Sequence, residues 1–294
     1  MSGVRVVERG DRRLLLRIEG YSVPLVNAVR RVILAEVPAL AIDYAIFYDN
    51  NTPIYDEMIS HRLGLVVLKS DEILDSLKSP EECKGKTYED DPECFVKMSL
   101  DVEVPADSPE GRYVYASELR IEDPRVVPVY PDTPIAYIGP GQAVRLVAYA
   151  RLGRGKEHGR FSPATIAALR YTSIVEVNPP ASEECLACLQ AYPEVVEALK
   201  RGEPATLRLE GSSRTSGLVY CSEHPCKGTV RVKYDPSTLF LEVEVTGALP
   251  PERVVVEALN ILEEKIKRFR EAVRGAGITE AVSLEAHGPD EHSN

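Results

Sequence analysis

The chain has 294 residues, of which 44% are hydrophobic and 28% are charged, and its formal net charge is −11. This acidic balance argues against a large duplex-binding surface, because phosphates are neutralised by clustered lysine and arginine, and we expect little direct contact with nucleic acid. No run approaches the roughly 18 apolar residues of a membrane span, and the N-terminus lacks a signal-peptide core. We therefore expect a cytoplasmic protein of about two domains that does not bind a membrane.

The first predicted elements are a hairpin and a helix. Residues 4–8 and 13–19 alternate apolar and charged side chains on either side of a Gly-Asp turn, which predicts a β-hairpin. Residues 24–37 place apolar side chains every three or four positions, which predicts an amphipathic helix. Pro38 ends this helix, because the residue before a proline is pushed out of the helical region. The spacing alone fits an ordinary core helix as well as a docking helix.

The next segment, residues 46–168, is typical of a mainly β domain. Short apolar stretches at 44–48, 95–104 and 143–149 predict strands, and turns rich in proline and glycine separate them. Exposed turns of this kind are where such a domain would contact larger proteins.

The six cysteines fall into two groups. Cys83 and Cys94 flank a polar loop, and two thiols cannot complete a four-thiolate metal site, so the sequence favours a disulfide that stabilises the fold by roughly 3 kcal/mol. The other four form two local pairs within residues 169–228 and leave three interpretations open: a metal or iron–sulfur centre, disulfides, or free thiols. These four cysteines are Cys185, Cys188, Cys221 and Cys226.

The C-terminal part is predicted to contain a second hairpin and a long helix. Residues 229–234 and 238–246 alternate in the same way as the first pair of strands and predict a hairpin that turns at 235–237. A helix is predicted to begin near Pro250 and to carry a heptad-type apolar stripe, which can pack on its own domain or form a subunit interface. The stripe consists of Val255, Leu259, Leu262, Ile266, Phe269 and Val273.

The sequence predicts no catalytic residues. His61 has no nucleophile or orienting carboxylate in a recognisable pattern, and its neighbours alternate into a core. Asp56 and Glu57 are typical of a solvated turn or a structural hydrogen bond. We therefore expect a protein that binds other proteins rather than an enzyme acting alone.

Four motifs resemble, in their order along the chain, those of the alpha-like subunits of DNA-directed RNA polymerase. They are most similar to the archaeal members of this family, which are related to the third subunit of the eukaryotic enzymes. The resemblance extends from about residue 4 to about residue 273. The four motifs are Asn27-Ala-Val-Arg-Arg-Val-Ile-Leu-Ala-Glu-Val-Pro38, His61-Arg-Leu-Gly-Leu65, Lys156-Glu-His-Gly-Arg-Phe-Ser-Pro163 and Ala258-Leu-Asn-Ile-Leu-Glu-Glu-Lys265.

The resemblance implies an α+β fold with a discontinuous dimerisation domain. Residues 1–45 and 229–280 would form this domain, with two helices on a four-stranded antiparallel sheet. Residues 46–168 would be an inserted mainly β domain, and 169–228 a small, cysteine-containing, ferredoxin-like insert. The polar tail, 281–294, is predicted to be disordered from its composition.

The resemblance also implies a role in assembling the polymerase. The dimerisation domain would pair with subunit L, the chain would recruit subunit N, and Arg30 and Arg31 would face the second-largest subunit, with Arg31 the main contact. The complex would perform nucleotidyl transfer, with its catalytic groups on the largest subunits. The residues expected to contact subunit L are Val29, Ile33, Val255, Leu259, Leu262, Ile266 and Phe269.

Some members of this family carry an iron–sulfur cluster, of the 3Fe-4S or 4Fe-4S type, at the position of the four cysteines. The motif here is degenerate, because Ala191 stands where the third cysteine of a full run would be. A cluster would give the chain an alternative function as an iron–sulfur electron carrier.

Overall fold

The computed structural model describes residues 3–210 and 215–276 and shows a mixed α+β fold with antiparallel sheets. The predicted disordered tail, 281–294, lies outside the described residues. The strands are β1 (Gly3–Arg9), β2 (Arg13–Glu19), β3 (Pro38–Asn50), β4 (Phe95–Glu103), β5 (Arg112–Tyr115), β6 (Arg120–Ile121), β7 (Pro134–Ile138), β8 (Ala143–Arg154), β9 (Ala164–Val177), β10 (Ala205–Leu209) and β11 (Val230–Val245). The helices are α1 (Val23–Ala35), α2 (Asp56–Gly64), α3 (Pro80–Cys83), α4 (Glu183–Cys188), α5 (Pro193–Lys200), α6 (Thr215–Glu223) and α7 (Pro251–Gly275).

A five-stranded sheet in the order β1-β2-β11-β9-β10 forms one half of the molecule. The predicted N-terminal hairpin is present as β1 and β2, and α1 ends at Ala35, shortly before Pro38 begins β3. Both α1 and α7 pack on one face of this sheet, where Leu239, Leu241 and Val243 of β11 are fully buried. Burial of these branched side chains between sheet and helices stabilises each by about 1.5–3 kcal/mol before entropy is counted.

The prediction of a second hairpin is wrong, because β11 runs as one strand through residues 235–237. Its first part pairs with the last part of β9, and its second part pairs with the first part of β9, with a register shift between Asp235 and Leu239. Ser237 donates its backbone N–H to Asp235 Oδ1 at 2.8 Å, so the turn residues close a local bulge instead of reversing the chain. Pairing with β9 on both sides of the bulge outweighs the turn preference of Asp-Pro-Ser.

The expected boundary between the second and third segments, residues 168 and 169, falls inside β9. This strand leaves the inserted domain at Ala164 and runs through the five-stranded sheet to Val177, where it also pairs with β10. The segment after it therefore extends an existing sheet. Its helices α4, α5 and α6 pack around a separate buried cluster that contains Val175 and Leu189.

The opposite face of the five-stranded sheet holds a buried carboxylate. Glu242 is 6% exposed and accepts hydrogen bonds from Arg13, at 2.7 and 3.0 Å, and from Arg170. Burial alone raises the pKa of Glu242, but the hydrogen bonds and charges of the two arginines outweigh it, so the pKa lies below its ordinary value. The carboxylate is therefore ionised and ties β2, β9 and β11 together.

The inserted domain contains a four-stranded sheet, β3-β8-β4-β6, and a two-stranded ribbon, β5-β7. One of its contacts with the first domain is made by Ser70, which is fully buried. Ser70 Oγ accepts from the Leu40 N–H at 3.1 Å, and the Ser70 N–H donates to the Ala248 carbonyl at 2.8 Å. One residue thus connects β3 with the loop before α7. Among the described residues, no helix is both long and apolar enough to cross a bilayer.

Candidate partner-binding surfaces

The two adjacent arginines of α1 have different environments. Arg30 is half-buried and donates from Nε to Asn27 Oδ1 at 2.9 Å and from Nη1 to the Ala167 carbonyl at 3.4 Å. Arg31 is exposed and has no hydrogen bond or ion pair with any residue that the structure describes. The guanidinium of Arg31 is therefore available to a partner, whereas that of Arg30 is used to hold α1 on β9.

The apolar face of α1 is used inside the chain. Val29 is 8% exposed and Ile33 is fully buried, and both belong to the main hydrophobic core. The resemblance implies that these two residues also contact subunit L, and that expectation stays a prediction. They pack inside this chain because α1 needs its one apolar face to dock on the sheet.

The long helix α7 divides into two parts along its length. Val254 and Ala258 are fully buried, and Val255 and Leu262 are partly buried against the core. Leu259, on the outer side of this first part, is 49% exposed. Farther along, Ile266 is 56% exposed and Phe269 71%.

The crossing of α7 over the end of α1 separates the two parts. Lys265 of α7 forms an ion pair with Glu36, the residue that follows α1. From Ile266 to Ala276, only Val273 is even partly buried. The last three turns of α7 thus extend beyond the domain, and their two large apolar side chains, Ile266 and Phe269, are exposed.

The second and third motifs meet in space. Arg160 donates from Nη1 to the Ile42 carbonyl at 3.1 Å, and its guanidinium lies against Gly64 at the end of α2. A Cβ on Gly64 would lie 3.2 Å from Arg160 Nη1, which is tighter than ordinary packing. The glycine of the His-Arg-Leu-Gly motif therefore makes room for the arginine of the distant Gly-Arg-Phe motif, a contact that the spacing of residues within either motif does not predict.

The third motif also contacts α1. Ser162 donates from Oγ to the Leu34 carbonyl at 3.2 Å, and the Lys156 N–H donates to the Ala35 carbonyl at 2.9 Å. These bonds satisfy carbonyl groups that the end of a helix leaves free. Residues 27–35, 61–65 and 156–163 therefore form one continuous surface, which we call the motif surface.

An open groove of about 540 Å³ lies in the motif surface, between α2 and residues 158–160. Asp56 is held at its edge by Asn50, whose Nδ2 donates to Asp56 Oδ1 at 2.7 Å. No hydrogen bond joins His61 to a described hydroxyl or carboxylate, so the groove lacks the coupled groups of an acid–base or nucleophilic site. The groove is lined by Asp43, Ala45, Phe47, Asp56, Glu57, Ser60, His61, Gly64, Leu65, His158 and Arg160.

All six cysteines form disulfides. Cys83 pairs with Cys94, as the sequence favoured, and this bond lies beside the stacked rings of Tyr44 and Tyr149. The loop that it closes is also held by Asp91, whose pKa is lowered to about 2 by hydrogen bonds from Lys86 and Lys78.

The four remaining cysteines pair across the two local pairs rather than within them. The bonds are Cys185–Cys226 and Cys188–Cys221, and Cys185 and Cys226 are fully buried. An iron–sulfur cluster binds to free thiolates, and these four sulfurs are each bonded to another sulfur, so this arrangement does not fit a cluster. No group of residues suited to a metal ion occurs in 3–210 and 215–276. The ferredoxin-like character expected of this insert is not confirmed, and an electron-carrier function is not favoured.

Comparison with known proteins identifies one family of relatives for this chain. A family model described as the RNA polymerase Rpb3/RpoA insert domain matches residues 45–166. A protein of Aeropyrum pernix named DNA-directed RNA polymerase subunit Rpo3 is 54% identical over 279 residues, which cover 95% of this chain and 97% of that protein.

More distant relatives carry the same name. The Rpo3 subunit of Methanothermobacter thermautotrophicus is 35% identical over 90% of this chain and 96% of its own length. The Rpo3 subunit of Pyrobaculum aerophilum is 32% identical over 92% of this chain and 95% of its own length. The chain therefore belongs to the Rpo3 family of archaeal DNA-directed RNA polymerase subunits, the alpha-like family that its four motifs predicted.

Proposed function

We propose that this chain is a non-catalytic assembly subunit of an archaeal DNA-directed RNA polymerase in the cytoplasm. It takes part in nucleotidyl transfer only as a component of the complex, because neither the groove nor any motif supplies a catalytic group. The observation that carries the proposal is the exposed apolar stripe at the end of α7, which is the kind of surface that a second protein chain covers.

The α7 stripe is proposed to bind subunit L. Ile266 and Phe269 would be its central contacts, with Leu259 beside them and the partly buried Val255 and Leu262 at its inner edge. Apolar residues one and two helical turns apart suit an amphipathic partner helix, since such residues form a continuous ridge. Residues 1–45 and 229–280 would then act together as the dimerisation domain.

The motif surface is proposed to bind the second-largest subunit through Arg31, with subunit N binding the resulting assembly. A planar guanidinium can donate two parallel hydrogen bonds to a carboxylate, and Arg31 has no competing partner among the described residues. The groove beside α2 adds a concave recess with carboxylates at its rim. We assign Arg30 a supporting role, since its bonds to Asn27 and Ala167 orient α1.

Co-expression with subunit L tests this proposal. The unchanged chain should elute as a one-to-one heterodimer, and a variant with both Ile266→Asp and Phe269→Asp should elute alone, because each aspartate places a charge in the apolar contact. Full pairing by the double variant would contradict the proposed interface.

Lys267→Asp is the matched control. Lys267 is exposed, lies next to Ile266 on the same helix, and receives the same new residue, so it reproduces the loss of helix propensity at one of the two positions. The control should pair with subunit L as well as the unchanged chain does. A control that also fails to pair would show that the loss reflects a weakened helix.

A further inference from the structure

The β5–β7 ribbon of the inserted domain carries three tyrosines on its outer face. Tyr113 and Tyr137 are cross-strand partners, with ring centroids 5.1 Å apart and planes at 71°, and Tyr115 lies 6.1 Å from Tyr113. Tyr113 is 54% exposed, Tyr137 47% and Tyr115 37%. We call these three residues the tyrosine face.

The rings of the tyrosine face are held in place by the ribbon beneath them. On the inner face, the paired residues Val114 and Ala136 are buried in the core, which fixes the ribbon to the domain. Gly111 lies under Tyr137, and a Cβ at this position would come within 2.9 Å of the ring and 2.3 Å of the Ile138 carbonyl. The ring of Tyr137 therefore occupies space that only a glycine leaves free.

Among the described residues, two unpaired carboxylates at the ends of the ribbon outnumber its one unpaired cation, Arg62 of α2, which donates from Nη1 to the Ile135 carbonyl of β7 at 3.0 Å. Arg112 is neutralised by Glu118, at 2.8 Å. Glu110, before β5, and Asp132, before β7, are exposed and have no ion pair with a described residue. A cation is attracted both by these carboxylates and by the electron-rich faces of the rings.

We propose that the tyrosine face binds an arginine- or lysine-bearing segment of another protein. The cationic side chain would lie over the rings of Tyr113 and Tyr137, flanked by Glu110 and Asp132. Tyrosine is enriched at the centres of protein interfaces because it buries a large rigid ring at a low cost in side-chain entropy. The tyrosine face shares no residue with the α7 stripe or the motif surface, although Arg62 of the motif surface donates a hydrogen bond to the Ile135 carbonyl of β7.

The test is fluorine NMR of the full chain labelled with 3-fluorotyrosine. Single Tyr→Phe variants assign each resonance to its tyrosine. The probe is the capped peptide Gly-Arg-Pro-Arg-Gly, and its control is the same peptide with citrulline, which is neutral and nearly the same shape. The arginine peptide should shift the resonances of the tyrosine face in a saturable manner, and citrulline should weaken binding about three- to tenfold. Equal shifts with both peptides, or no shift at these three residues, would overturn the proposal.

Two variants separate ring contacts from folding. Tyr137→Phe keeps the ring and should bind the arginine peptide nearly as well, whereas Tyr137→Ala should weaken binding. A Phe variant as weak as the Ala variant would refute binding through the ring face.

A third variant tests the role of the carboxylates. Glu110→Gln with Asp132→Asn should weaken binding of the arginine peptide with all rings intact, and unchanged affinity would contradict the charge argument.

A second experiment identifies the natural source of the segment and rests on the proposed function, since it uses assembled polymerase. A photoreactive benzoylphenylalanine at position 137 should cross-link to a peptide of another subunit that contains arginine or lysine. Cross-links only to nucleic acid or to segments without a cation would overturn the inference. The unchanged chain is the assembly control: its failure to enter the polymerase would count against the proposed function, and the peptide titration would still decide the inference.

Discussion

The two parts of α7 have the same apolar periodicity but different surroundings. In the first part, Val254 and Ala258 are buried in this chain's own core, whereas in the last three turns Ile266 and Phe269 are exposed. The pattern alone therefore does not distinguish a residue that folds the chain from one that binds a partner. The distinction depends on how far the sheet extends beneath the helix.

The same division occurs at neighbouring positions of α1. Arg30 bonds to Asn27 and Ala167, whereas Arg31 is exposed and has no partner among the described residues. Inward-facing positions should affect the free energy of unfolding, and outward-facing positions should affect binding. Substitutions that separate these two effects test the division.

Val254→Asp should have the largest effect on stability. Val254 is fully buried, and an unpaired carboxylate there would lower the free energy of unfolding by about 4 kcal/mol or more. Urea denaturation followed by circular dichroism measures this loss, with Ile266→Asp as the outward-facing control that should change stability by less than about 0.5 kcal/mol. Similar losses at both positions would contradict the division of α7.

Removal of the Cys83–Cys94 disulfide should have the next largest effect. The double substitution Cys83→Ala and Cys94→Ala should lower the free energy of unfolding by about 3 kcal/mol, because the unfolded chain regains the entropy of the opened loop. Pairing with subunit L should not change under conditions in which the variant is folded, since the disulfide lies in the inserted domain. Weakened pairing by the folded variant would show that the α7 stripe is not an independent surface.

Substitutions of the two adjacent arginines of α1 should differ in their effect on the free energy of unfolding, by a smaller amount than the changes above. Arg30→Ala removes two hydrogen bonds and should cost about 1 kcal/mol, while Arg31→Ala should leave stability unchanged. In contrast, Arg31→Ala should reduce capture of the second-largest subunit by the heterodimer in a pull-down assay. Unaltered capture by Arg31→Ala, or a larger stability loss than that of Arg30→Ala, would contradict the assignment.

Local patterns in the sequence predicted the elements that depend on local chemistry. The first hairpin, α1 with its end before Pro38, and the start of α7 near Pro250 were predicted because alternation, helical spacing and proline act within a few residues. The residues of the α7 stripe were also predicted. The division of α7 into a packed part and an exposed part was not, because it occurs at the ion pair of Lys265 with Glu36, which is distant in sequence.

Features that depend on distant pairing were not predicted correctly. The 235–237 segment has turn chemistry, yet it forms a bulge because β9 pairs with β11 on both sides of it. The four cysteines of residues 169–228 allow three pairings, and only the fold brings Cys185 to Cys226. The contact of Gly64 with Arg160 was missed for the same reason, since residue spacing contains no information about which motifs meet.

Hydrogen–deuterium exchange along α7 tests the central claim most directly. In the full chain alone, amides of residues 266–275 should exchange much faster than those of 254–262, because nearly all side chains of the last turns are exposed. Addition of subunit L should protect residues 266–275 at least about tenfold, equivalent to roughly 1.4 kcal/mol of local stabilisation. Unchanged exchange in these residues within a stable heterodimer would contradict the claim that the end of α7 is the partner-binding surface.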